Sequence, residues 1–394
     1  MPNFSRILLH DNKVDAVKRF HPWIFSGAIK KKDMGIKEGE IVDVYSNSGE
    51  YLATGHYSSG NIAIKIFSFQ KVSDLDRLFL EKFQNAYGMR KQLGLATSQA
   101  TNCYRLINAE GDGLPGLIVD WYNGTAVLQA YSLGMYDARS LIVECLQKVY
   151  GQDLNVIYDK SASILGKEVE KTENRYLFGS KSEGEILEYG HRFLVNWEEG
   201  QKTGFFIDQR ENRWLLAKYV AGKRVLNTFC YSGGFSVYAI AAGASFVHSV
   251  DSSLKAIEWT TQNVALNNPR QTPHQTSTED IFNFLKTCDT DYDTIVLDPP
   301  AFAKSLSARH QAVMAYKRLN KEAIAKLRSP GILFTFSCSQ VVAPEHFRGA
   351  VVAAAIESGR AIRVLHHLTQ PADHPVSIYH PEGLYLKGLV LRVD

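Results

Sequence analysis

Arg224-Val225-Leu226-Asn227-Thr228-Phe229-Cys230-Tyr231-Ser232-Gly233-Gly234-Phe235 is the stretch on which the fold of this chain turns. Arg224–Asn227 reads as a strand that runs into two adjacent glycines, and Phe235–Ala242 reads as the helix behind them. Adjacent glycines let a backbone turn sharply and approach a ligand at a helix N-terminus. Working outward, strands are expected at Phe246–Val250, Thr294–Leu297 and Ile332–Phe336, and helices at Leu254–Leu266 and Gln311–Leu327. That alternation predicts an α/β fold with a doubly wound, Rossmann-like parallel sheet, whose ligands sit beyond the carboxyl ends of its strands.

Three further features fall at those ends. Asp251 closes the second strand, where a carboxylate can accept hydrogen bonds from both hydroxyls of a ribose. The glycines by themselves read equally well as a plain turn. With Asp251 they point to an adenosine-type cofactor, although the dinucleotide pattern G-x-G-x-x-G is absent. Asp280 suits either an adenine amino group or the cap of a helix over Ile281–Lys286. Asp298-Pro299-Pro300-Ala301-Phe302 ends another strand, and its prolines predict a rigid loop that presents Asp298 at the sheet edge. The strand Ile332–Phe336 leads to Cys338. A buried cysteine there is either an inert packing group or a nucleophile.

The chain has 394 residues, enough for two or three domains. A net charge of +3 permits a nucleic-acid partner without demanding one, and 45% apolar with 22% charged residues is ordinary for a globular protein. The five cysteines form no C-x-x-C pair, so neither a metal site nor a disulfide framework is expected, and a cytoplasmic location is. The N-terminus lacks the plan of a signal peptide, and no apolar run is long enough for a membrane span.

Residues 1–72 read as short strands of a small β-barrel, with Lys30-Lys31-Lys32 as a solvated loop or a phosphate contact. A helix with Leu75, Leu78, Phe79 and Phe83 on one face opens a second domain, 73–188. It continues through strands at Tyr104–Asn108, Leu117–Tyr122 and Thr125–Tyr131, a type I′ turn at Asn123-Gly124, and a helix over Asp137–Val149. Asp112 and Asp120 read as turn and strand-end residues. A hairpin turning at Gly190-His191 lies at the start of the third domain, 189–394. Lys304–Arg328 carries Lys304, Arg309, Lys317, Arg318, Lys321, Lys326 and Arg328 against Glu322 alone, which reads as an RNA-tracking face or a solvated helix.

Asn227–Phe235, Asp251, Asp298–Phe302 and Ser337-Cys338-Ser339, in that order, resemble the class I S-adenosylmethionine-dependent methyltransferases. More narrowly, the chain resembles the PUA-containing RNA 5-methylcytosine methyltransferases of large-subunit ribosomal RNA. His21–Gly27, Gly111–Leu117, Lys202–Arg210, Ala372–Pro375 and His380–Gly388 carry that likeness over nearly the whole chain. The resemblance implies a PUA domain, a middle β-β-α-β-β domain and a C-terminal methyltransferase domain. It implies S-adenosylmethionine held by Asn227, Phe229, Tyr231, Gly233, Gly234, Asp251, Asp280, Asp298 and Gln209.

Carbon-5 of a pyrimidine is too weak a nucleophile to accept a methyl group unaided. A thiolate added at carbon-6 makes it enamine-like. The resemblance therefore implies Cys338 as the nucleophile, Asp298 against the base, and Glu382 as a candidate for removing the carbon-5 proton. Some relatives carry a second cysteine after Pro-Pro, where this chain has Ala301. Pro299, Pro300, Phe302, Lys304, Lys317 and Arg318 are the expected RNA contacts. The expected partner is a single-stranded or looped region of 23S ribosomal RNA, with no metal and no membrane; a homodimer is left open. Carbon-5 uracil methylation, methylation of an exocyclic nitrogen, and a non-catalytic RNA-binding assembly role remain as alternatives.

Overall fold

A computed structural model describes residues 4–165, 173–289 and 291–394. The chain divides into two compact units and passes between them more than once. The first comprises Met1–Leu187, Val195–Ile207 and Ala372–Gly383; the second comprises Glu188–Leu194, Asp208–Pro371 and Leu384–Asp394. The single change of domain expected at 188/189 is thus replaced by an interleaved path.

Buried polar bonds explain why 372–383 joins the first unit. The Arg90 guanidinium, fully buried, donates to both oxygens of Asp112 at 2.5 and 2.8 Å and to the Asp373 carbonyl at 2.7 Å. Asp373 in turn accepts from the Arg105 amide at 3.0 Å, and Asn108 donates to the Pro375 carbonyl at 2.9 Å. Asp112 is a turn residue, as expected, and also half of a buried ion pair. Asp120 is likewise buried, taking a bidentate pair from Arg105 at 2.8 and 3.0 Å. Buried charges persist only when paired in this way.

In the first unit β1 (Ser5–Leu9), β2 (Trp23–Phe25), β3 (Ile29–Lys32), β4 (Ile41–Tyr45), β5 (Tyr51–Tyr57) and β6 (Ile62–Ser68) form one sheet, ordered β2-β6-β5-β4-β1-β3. Ile7, Leu9, Val42, Val44, Ile64 and Ile66 make its core. Lys30-Lys31-Lys32 is not a loop but part of edge strand β3, with all three lysines exposed. Lysines on an edge strand discourage unwanted strand pairing.

A second sheet in this unit is ordered β11-β10-β9-β8-β7, from β7 (Cys103–Asn108), β8 (Leu117–Tyr122), β9 (Thr125–Ala130), β10 (Val156–Asp159) and β11 (Arg175–Phe178). Asn123 and Gly124 have φ of 43° and 95°, as a type I′ turn requires. The helix expected over Asp137–Val149 is two helices, Leu133–Asp137 and Arg139–Tyr150, the first capped by the Ser132 side chain. The two sheets belong to one packed unit. A Cβ on Gly134 would come within 2.2 Å of the His56 ring.

The second unit carries the alternating region. Its strands are β12 (Arg224–Thr228), β13 (Phe246–Asp251), β14 (His274–Thr278), β15 (Tyr292–Leu297), β16 (Leu327–Ser337), β17 (Ile362–Leu368) and β18 (Lys387–Val393). They lie in the order β14-β13-β12-β15-β16-β18-β17. The first five are mutually parallel, and β18 runs antiparallel to both neighbours. The helices that matter for the site are α1 (Arg210–Leu216), α2 (Gly234–Ala241), α3 (Leu254–Asn267), α4 (Ile281–Thr287), α5 (Arg309–Lys326) and α6 (Pro344–Ser358). Strand order reverses between β12 and β15, the position at which such sheets bind ligands in a crevice beyond the carboxyl ends of their strands. A hairpin, Glu183–Glu188 with His191–Asn196, turns at Tyr189-Gly190, one residue earlier than expected, with φ of 48° and 81°. No helix among the described residues is long and apolar enough to cross a membrane.

β16 lies between β15 and β18, and Leu333, Phe334 and Phe336 are fully buried. Gly388 on β18 lets Phe336 approach: an added Cβ would stand 2.5 Å from a Phe336 ring carbon and 3.0 Å from the Thr335 carbonyl. Gly388→Val should therefore overpack this junction and lower the unfolding free energy by about 2 kcal/mol or more. Urea denaturation of the full chain checks this, and an unchanged midpoint would remove the close approach as a constraint.

Candidate functional site

Register places the key residues on one edge of the sheet of the second unit. Thr228 on β12 pairs with Val250 on β13 and Leu297 on β15, so the loops after these strands leave side by side. Leu297 pairs with Thr335 on β16, and Ser337 pairs with Lys387 at the start of β18. Asp251, Asp298, Cys338 and Lys387 therefore stand at neighbouring strand ends.

The loop after β12 is tightly wound. Phe229 and Tyr231 have φ of 55° and 48°, and Gly233 has φ of 79°. Positive φ in non-glycine residues is costly and persists only where surroundings enforce it. Here Asp251 does so: its two carboxylate oxygens accept from the Tyr231 and Ser253 amides, each at 3.0 Å. Thr260 on α3 donates to the Tyr231 carbonyl at 2.8 Å, and Asn263 donates to the Ser232 carbonyl at 2.9 Å. A Cβ on Gly233 would meet Thr260 at 2.9 Å, and one on Gly234 would meet Arg213 at 2.9 Å. The glycines are thus required by close packing as well as by the turn.

Asn227 donates to Ser236 at 2.8 Å, while its side-chain oxygen is buried with no partner. A buried unsatisfied acceptor beside a loop of this shape fits a ligand that supplies a donor. Asp280 caps α4 through an oxygen that accepts from the Asn283 amide at 3.1 Å, the second of its two expected roles. Cys230 is buried, with its thiol pushed up to about 12 mainly by burial, so it is a packing residue.

A second cluster surrounds Cys338, which is partly buried and whose Sγ points at the Pro299 carbonyl 3.8 Å away. Gln209 donates to Asp298 at 2.9 Å and is itself held by Asn212 at 2.6 Å. Asp208 accepts from the Tyr385 hydroxyl at 2.6 Å, while its other oxygen is buried without a partner. The helix behind these residues, α1, is anchored by Arg213, whose guanidinium donates to Glu188 at 2.8 and 2.7 Å. Tyr238 on α2 also donates to Glu188, at 3.0 Å.

The charges in this cluster oppose ionisation. Asp298 is pushed up to about 7, first by burial of its carboxyl and then by the Asp208 charge, against the Gln209 hydrogen bond and Arg213. Cys338 is pushed up to about 12, first by burial and then by Asp298 and Asp208, with Lys387 acting in the opposite direction. Asp208 and Lys387 are the members that the sequence reading missed. Asp208 stood beside the expected Gln209, and Lys387 was a lone cation inside an apolar run.

The other expected contacts divide. Pro299 is buried and Pro300 exposed, and the Phe302 ring packs against Phe282 and Tyr316 at 6.2 and 4.7 Å. Lys317 and Lys321 are both committed to Glu357 on α6. Arg318 lies over the Phe282 ring at 4.3 Å, Lys326 donates to the Cys288 carbonyl at 2.6 Å, and Arg328 pairs with Asp291. Lys304 and Arg309 remain exposed. The basic stretch therefore presents a narrower cationic face than its composition suggests. Glu382 belongs to the first unit, where its half-exposed carboxylate stands 3.8 Å from both His21 and His380. The carboxylates beside Cys338 within its own unit are Asp208 and Asp298.

Comparison with known proteins extends this geometry. The family of PUA-like domains matches residues 7–69, and the family of S-adenosylmethionine-dependent methyltransferases matches residues 170–383. Ribosomal RNA large subunit methyltransferase I of Escherichia coli (strain SMS-3-5 / SECEC) is 37% identical over 400 residues, covering 98% of this chain and 99% of its own. The protein of the same name from Klebsiella pneumoniae (strain 342) is 37% identical over 402 residues, covering 99% and 98%. The crystal structure of SMU.776 complexed with SAH superposes with a TM-score of 0.84 at 25% identity, over 98% of this chain and 100% of that one. Trm5b from Pyrococcus abyssi shares the fold with a TM-score of 0.51 at 16% identity, over 70% of this chain and 74% of that one.

Asp251 carries the most direct test of the cofactor loop. Asp251→Ala should weaken S-adenosylmethionine binding at least about tenfold in calorimetry, by releasing the loop that its carboxylate holds. Unchanged affinity would take Asp251 out of the cofactor site.

Proposed function

We propose that this chain, which belongs to the S-adenosylmethionine-dependent family of ribosomal RNA large subunit methyltransferase I, methylates carbon-5 of a cytosine in 23S ribosomal RNA through a covalent bond from Cys338 to carbon-6. The single observation that carries this reading is the position of Cys338. Its thiol shares one sheet edge with Asp298, and it lies against the Pro-Pro loop that would receive the base. Nitrogen methylation needs no such thiol.

S-adenosylmethionine supplies an electrophilic methyl group when bound; the loop after β12, with Asn227 and Asp251, is where it would be held. This chain's own residues do the rest. The target cytosine must be unstacked to reach them, which favours a single-stranded or looped RNA region. The Cys338 thiolate forms a bond to carbon-6, and the displaced ring electrons make carbon-5 nucleophilic. Asp298, whose carboxyl is pushed up to about 7 by burial and the Asp208 charge, can in its protonated form donate to the ring nitrogen that gathers this charge. After carbon-5 is methylated, its proton must leave and the carbon–sulfur bond must break. Asp208 is the favoured acceptor for that proton, because one of its carboxylate oxygens is buried in the same unit without a partner. Glu382 is the less favoured choice, given its place between two histidines of the first unit.

Two substitutions separate the steps. Cys338→Ala should abolish methylation and any protein–RNA adduct on denaturing gels, while leaving cofactor binding intact. Retained turnover would move the reading to nitrogen methylation. Asp208→Asn should slow turnover by about a hundredfold or more, as loss of a positioned base does, and should let the covalent adduct accumulate. A variant that is slow but forms no more adduct than wild type would take Asp208 out of the proton-removal step.

A further inference from the structure

Lys387 opens β18 opposite Ser337, the last residue of β16. Its residue is only 8% exposed, and its Nζ donates to the Ser339 carbonyl at 2.6 Å and the Tyr385 carbonyl at 3.0 Å. Ser337 and Ser339 flank Cys338. Strand pairing on one side and a hydrogen bond on the other therefore hold the amine beside the thiol.

A lysine ammonium has three donors, and two carbonyls take two of them. No carboxylate pairs with Lys387 among the described residues. A buried cation without a counter-anion is costly, and a methionine would fill similar space without that penalty. Burial accordingly pushes Lys387 down to about 8, with Cys338 working against that shift. The thiol faces Asp298 from the loop after β15, Asp208 ahead of α1, Tyr316 from α5, and Lys387 from β18. Two of these are anions that oppose thiolate formation. Lys387 is the cation among them.

We propose that Lys387 is a positioning residue for Cys338, its ammonium offsetting the charge of the thiolate that forms when the Sγ–H proton leaves to water. No bond at Lys387 is made or broken. The inference rests on the reading of Cys338 as nucleophile. Filling the crevice with a base would exclude water and strengthen the attraction, since charges interact more strongly where the dielectric is low.

The test is alkylation of the intact chain by iodoacetamide across a pH series, with the Cys338 peptide quantified by mass spectrometry. Lys387→Met should slow Cys338 alkylation near neutral pH, where the ammonium is charged, by about tenfold or more, the effect of one pKa unit. Lys387→Arg should keep most of the wild-type rate. Lys387→Gln, which drops the charge but keeps a donor, serves if the methionine variant does not fold. A neutral variant with the wild-type profile overturns the inference and leaves the nucleophile reading in place. Alkylation needs no turnover, so retained methylation by Cys338→Ala would strike that reading separately.

Discussion

The site depends on the pairing of β16 between β15 and β18. The parallel ladder to β15 brings the thiol to the edge that carries Asp298. The antiparallel ladder to β18 brings Lys387 to the same edge from the far end of the sequence. A one-residue slip would exchange the faces of Phe334 and Phe336 with those of Leu333 and Thr335, and close-packed sites of different volume would no longer be filled. Phe334 and Phe336 thus hold the register that brings Asp298, Cys338 and Lys387 to one edge, and Gly388 leaves room for the Phe336 ring.

The second constraint is electrostatic. Asp298 and Cys338 lie where burial, and then the Asp208 charge, disfavour their charged forms. Such a cluster raises a carboxylic acid toward neutrality and opposes formation of a thiolate. The cofactor loop follows a different logic. Its strained backbone is held from within the protein, by Asp251 and by Thr260 of α3.

Much of the fold could be read from the alternation after Arg224, because long buried strands and amphipathic helices have distinct periods. β14 was harder: His274-Gln275-Thr276-Ser277-Thr278 is polar and lies at a sheet edge, so no apolar run marks it. The glycine loop, Asp251, Asp298 and Cys338 were legible because strand ends in such sheets are predictable places for chemistry. Lys387 and Asp208 were not, since a lone charge in an apolar string does not announce what it faces. The interleaving of the two units was invisible for a related reason. It rests on Arg90 and Asp373, whose bond spans most of the chain and leaves no local pattern. Neither did composition reveal that Glu357 takes up Lys317 and Lys321.

The most direct test of the central claim is nucleoside mass mapping of 23S ribosomal RNA from cells with and without this chain. One 5-methylcytidine is expected to disappear with the chain and to return with the wild-type protein. Loss of a methyluridine or of an N-methylated base instead, or an unchanged set of modified nucleosides, would contradict that claim.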